Sequence, residues 1–97
     1  MREREPRVQA ALPVSMEGRE AGRTRDVSAS GIFFETSAEI AEGEPIDLEL
    51  ELTVDQGKVL LKCSGRVVRV ERSEGRIGVA VKIVESRLVR SRQLSEA

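Results

Sequence analysis

The chain has no histidine, tryptophan or tyrosine, a single cysteine and two phenylalanines. Without histidine, the commonest general base near neutral pH and the commonest transition-metal ligand are both missing. With Cys63 as the sole thiol, no internal disulfide can form and a zinc site lacks its usual ligands. A lone cysteine fits a reducing compartment, and its simplest role is that of a small buried hydrophobe. Phe33 and Phe34 are too few to give single-stranded nucleic acid its stacking platforms. A net charge of −1 supplies no global positive field to attract nucleic acid or an anionic membrane. No apolar run approaches the roughly 20 residues of a spanning helix. The start, Met1-Arg2-Glu3-Arg4-Glu5-Pro6-Arg7, lacks a signal peptide's apolar region. These absences argue against an enzyme, a metalloprotein, a DNA or RNA binder and membrane insertion. They favour one cytoplasmic domain of 97 residues.

What is present alternates with a period of two. Val8, Ala10, Leu12, Val14 and Met16 lie on one face of a strand, and Pro13 on the other predicts an edge or a bulge. Glu17-Gly18-Arg19 reads as a turn, and residues 20–25 as a short polar strand. In Ile32 to Glu35, Phe33 opposes Ile32 and Phe34, so both faces are expected to be covered. After Glu42-Gly43-Glu44-Pro45, the residues Ile46, Leu48, Leu50 and Leu52 alternate with Asp47, Glu49 and Glu51. Leu and Glu favour helix, yet strict alternation between turn residues decides for a strand with a solvated acidic face.

Asp55-Gln56-Gly57 reads as a hairpin turn, followed by Val59, Leu61 and Cys63 on one face. At Gly65 the phase breaks, since Val67, Val68 and Val70 leave the odd series, which predicts a bulge or sharp bend. Ser73-Glu74-Gly75 turns the chain into Ile77, Val79, Val81 and Ile83, with Gly78 and Ala80 keeping the other face small. Ser86 is placed to cap a short helix over residues 87–95, with Leu88 and Leu94 as contacts. Strands of even spacing with glycine-marked bends predict a small antiparallel barrel.

The most informative stretch is Asp26-Val27-Ser28-Ala29-Ser30-Gly31, entering Ile32-Phe33-Phe34. A carboxylate can accept two N–H donors, which suits the edge of a guanine base. A serine two residues on points the same way along an extended backbone. Glycine permits a positive φ or a close backbone approach. On local grounds alone, an Asx-turn between strands explains the same residues. Arg23 and Arg25 alternate on one strand face beside it and are secondary candidates for phosphate contact.

Taken in order, the basic N-terminal segment, Asp-x-Ser-x-x-Gly, Gly65-Arg66-Val67-Val68-Arg69-Val70 and Gly75-Arg76-Ile77-Gly78-Val79-Ala80-Val81 resemble a PilZ domain over nearly the whole chain. The resemblance implies a mainly all-β fold, a six-stranded antiparallel β-barrel with a short C-terminal helix. Residues 1–7 would form an arginine-rich arm, 8–84 the barrel and 86–97 the helix or tail. It also implies that the ligand is the bacterial second messenger cyclic di-GMP, bound without any cofactor. The implied partner is a protein of motility, pilus or signalling machinery.

Family members that bind the dinucleotide carry Arg-x-x-x-Arg in the arm and Asp/Asn-x-Ser-x-x-Gly after it. The second motif is complete here in Asp26, Ser28 and Gly31. In the first, Arg7 occupies the second arginine position, but Glu3 stands where the first belongs. Arg4 matches an additional arginine and Arg2 lies one position before the motif. The implied ligand set is therefore Arg4, Arg7, Asp26, Ser28 and Gly31, with Arg2 in reserve. Arginine suits both phosphate and the guanine O6/N7 edge, so a glutamate in its place weakens binding. The alternative is a PilZ-like module that has lost its ligand and acts in protein interaction or scaffolding. A nucleic-acid-binding barrel of the OB or SH3-like kind is disfavoured by charge and aromatic poverty.

Overall fold

Alternation dominates the chain, and in the computed structural model it yields six strands. These are β1 (Pro13–Met16), β2 (Arg19–Val27), β3 (Gly31–Thr36), β4 (Pro45–Val54), β5 (Gly57–Ser73) and β6 (Arg76–Arg90). The structure describes residues 11–17, 19–54 and 57–90. Every pairing is antiparallel, and the order β1-β2-β3-β6-β5-β4 closes on itself as a barrel. Closure satisfies edge N–H and C=O groups that would otherwise face solvent or another chain. Among the described residues, no helix is long and apolar enough to cross a membrane.

The core collects the inward residues of each strand. Val14, Phe34, Leu50, Val67 and Val79 are buried, with Ile32, Leu48, Cys63 and Val81 around them. In β4 the period-two pattern overrides helix propensity as expected: Leu48 and Leu50 are buried, while Asp47 is exposed. Among the described residues, Thr24 and Thr36 are the buried polar side chains. Thr36 Oγ1 donates to the Ala21 carbonyl at 2.7 Å, and the Leu12 amide donates to Thr24 Oγ1 at 3.0 Å. These bonds offset the cost of burying hydroxyls.

Bulges set which face each strand presents. The expected irregularity near Pro13 falls between Val14 and Ser15, and β4 covers only Val14 and Ser15 of β1. The expected break at Gly65 is a bulge too: Ser64 pairs with Glu85 and Gly65 with Ile83, leaving Val84 over. A Cβ on Gly65 would lie 2.2 Å from the Lys82 carbonyl oxygen, so only glycine fits that approach. A further bulge leaves Val68 between the Val67–Val81 and Arg69–Ala80 pairs, which explains its 54% exposure.

Two expectations are corrected. Residues 86–90 do not begin a helix capped by Ser86; Ser86 pairs with Cys63, and β6 runs on to Arg90 opposite Val59. Val59 to Ser64 need a second antiparallel partner, and β-branched Val84 and Val89 suit the strand that supplies it. The rest of the expected helix, 91–95, lies outside the described residues, as do Leu94 and the remainder of the 91–97 tail. Likewise β2 does not stop at residue 25. It includes Asp26, and the bend follows at 28–30.

Candidate functional site

A fourth bulge builds the site. Thr24 pairs with Phe34 and faces the core, yet Asp26 pairs with Phe33, leaving Arg25 as the extra residue. Paired residues share a face, so the extra residue turns Asp26 from the core phase to the outer surface. The same outward row continues through Ala80, which pairs with Phe33, to Arg69, which pairs with Ala80. The bulge at Val68 does for Arg69 what the bulge at Arg25 does for Asp26. The result is one line across four strands: Asp26, Phe33, Ala80, Arg69.

This line floors an open hollow of about 560 Å³, whose walls include Arg25, Ser28, Gly31 and Glu71. Asp26 is half-buried, with Oδ1 shielded from solvent, and the hairpin end closes over it. The Ser28 amide donates to the Gly31 carbonyl at 2.8 Å, with the Ser28 hydroxyl 3.4 Å from the same oxygen. The Ile83 amide donates to the Ser30 carbonyl at 2.9 Å, tying the turn to β6. Gly31 serves by closeness rather than by a positive φ: a Cβ there would come within 3.3 Å of the Val81 carbonyl oxygen. Phe33 lays its ring on Gly78, where a Cβ would lie 2.6 Å from Cζ. The half-buried ring gives the hollow an apolar wall.

Charges around the hollow are mutually held. Arg69 Nε donates to Glu71 Oε2 at 2.9 Å. Glu35 accepts from Arg25 Nη1 at 2.6 Å and from Arg76 Nη1 at 3.3 Å, joining β2 to β6. All of these arginines are exposed, so the pairs are weak and exchangeable. The structure thus brings Asp26, Ser28, Gly31 and Arg25 together. It leaves Arg23 outside the hollow, its Nη1 3.4 Å from the Ala11 carbonyl. Arg2, Arg4 and Arg7 lie outside the described residues. Sequence reasoning passed over Arg69, Glu71 and the wall role of Phe33. The displaced phase in Val67-Val68-Arg69-Val70 was the available signal for Arg69.

Among the described residues, no group of three His, Cys, Asp or Glu side chains could hold a metal ion. A closed antiparallel barrel with a polar, arginine-bearing hollow beside a hairpin end defines a small binding module. The family model that matches is the PilZ domain, over residues 1–96, and the chain belongs to that family. PilZ domains are binding and regulatory modules. Among solved structures, the Inhibitor of motility (MotI/DgrA) of Bacillus subtilis is similar in fold, with a TM-score of 0.72 and 19% identity. The alignment covers 88% of this chain, which spans only 43% of that one. No curated protein matches the sequence.

Proposed function

We propose that this domain is a cytoplasmic receptor module for cyclic di-GMP, with the hollow over Asp26, Phe33 and Arg69 as its binding surface. One observation carries the reading. The complete Asp26-x-Ser28-x-x-Gly31 motif is turned outward by a bulge and set in line with an arginine three strands away. Asp26 would accept the N1–H and N2–H donors of one guanine, and Ser28 would add a hydrogen bond. Gly31 keeps the floor low. The dinucleotide's two phosphodiesters need cations, which Arg4 and Arg7 would bring from the arm and Arg69 and Arg25 from the barrel. Arg69 thereby compensates in part for Glu3. Signal transfer would run from the bound arm to a protein partner. The motility name of the similar Bacillus subtilis structure fits a partner in motility machinery.

Calorimetric titration with cyclic di-GMP, using cyclic di-AMP as control, tests this directly. Micromolar, guanine-selective binding is expected, and Asp26→Ala should weaken it at least tenfold. Glu3→Arg should tighten it several-fold, because one charge-assisted hydrogen bond contributes about 1.5–3 kcal/mol. A folded protein that gives no heat favours the second reading, to which Glu3 points: a PilZ module that works without the nucleotide.

A further inference from the structure

Among the described residues, a groove larger than the hollow lies at the other end of β2 and β3. It measures about 980 Å³ and runs between the β1–β2 turn and the β3–β4 connection, with Val84 on its margin. Its floor is apolar: Ile40 is buried, and Met16, Ala38 and Ile46 are half-buried. Val84, the residue extruded by the Gly65 bulge, is 77% exposed there. The rim is acidic, with Glu17, Glu20, Glu39, Glu44 and Asp47 against the single base Arg19. In a chain of net charge −1, that is a marked local concentration of one sign.

The groove is preformed, because its β3–β4 wall is pinned along β5. The Gly43 amide donates to the Val67 carbonyl at 2.8 Å, and the Val67 amide donates to the Glu44 carbonyl at 3.0 Å. Arg66 Nη1 donates to the Gly43 carbonyl at 2.7 Å, and the Val70 amide donates to Glu42 Oε2 at 3.1 Å. Arg72 grips Glu39 with two bonds of 3.1 Å.

We infer that this groove docks a basic segment of a partner protein, one that carries aliphatic side chains between lysines or arginines. Aliphatic groups would fill the floor beside Val84 while the cations meet the rim. An acidic rim repels anionic lipid and nucleic acid, so a protein segment is the matching occupant. The inference does not depend on cyclic di-GMP, and its test omits the nucleotide.

The whole chain, isotopically labelled, would be titrated with a twelve-residue peptide of alternating lysine and leucine, followed by amide shifts at ~0.15 M salt. A lysine–glycine peptide and a glutamate–leucine peptide serve as controls. Shifts are expected at Met16, Ala38–Ile46 and Val84, with neither control binding. The double change Glu17→Lys and Glu20→Lys, on exposed positions, should weaken binding at least tenfold, and Val84→Ser several-fold. Equal binding of the lysine–glycine peptide would overturn the inference by reducing it to bare charge attraction. So would shifts centred elsewhere, or affinity untouched in both variants.

Discussion

Arg69 and Glu71 face the same hollow and satisfy one another, so an anion arriving there competes with Glu71 for the guanidinium. Exposed ion pairs of this kind contribute about 0.2–1 kcal/mol. Glu71→Gln should therefore tighten binding of cyclic di-GMP by roughly two- to fivefold, while Arg69→Ala weakens it, as calorimetry would register. Glu39 is poised differently. The Arg72 guanidinium beside it holds its carboxyl below the ordinary value of 4.5. A depressed folded value stabilises the pair above the unfolded pKa and loses that contribution as pH falls through the folded one. An NMR titration should show Glu39 still charged at a pH where unpaired glutamates have begun to protonate. Cys63 is buried, and burial pushes its thiol up from 9.0. It should resist thiol reagents at neutral pH in the native state and react at once in denaturant.

At the scale of the strand, the bulge decides chemistry. Arg25 is the extra residue, so deleting it would let Thr24 and Asp26 alternate directly, with Asp26 still outward opposite Phe33. Calorimetry should then find cyclic di-GMP binding reduced only by the loss of the Arg25 cation, because Asp26 is still presented to the ligand. Gly65→Ala places a methyl against the Lys82 backbone, and overpacking of that kind costs about 1–3 kcal/mol, readable in a urea melt. Much of this level was legible beforehand. Alternation in Ile46 to Leu52 gave β4, and the phase slip near Gly65 gave the bend. The bulge at Arg25 was not legible, because Arg23, Arg25 and Asp26 are all polar and show no phase to lose. Nor was the end of β6, since Ser86 before Arg87 and Leu88 is as good a helix start as it is a strand residue. Pairing with Val59 to Ser64, a tertiary demand, settled it. Of the candidate site, the Asp-x-Ser-x-x-Gly half could be read from adjacent residues. For Arg69 the phase slip was a signal that it leaves the core. Its alignment with Asp26 was not readable, because that link passes through Phe33 and Ala80, distant in sequence.

For the molecule as a whole, the barrel rests on one shared core with Phe34 at its centre, fully excluded from solvent. Phe34→Ala should cost about 3–5 kcal/mol, a large part of the stability of a domain this size, seen as a collapsed melting temperature. The ring of strands is not equally strong all the way round. Among the described residues, the β5–β6 hairpin is zipped by fourteen residue pairs, from Val59 to Ser73, whereas β1 meets β4 through two, Val14–Leu50 and Ser15–Glu49. A closed circle opens where its fastening is shortest, so hydrogen exchange should find the β1–β4 amides unlatching far more often than those of β5. The chain leading into β1 is the one that carries Arg4 and Arg7. A nucleotide that grips those arginines would pull on the strand with the least holding it, and the barrel's clasp would become its trigger.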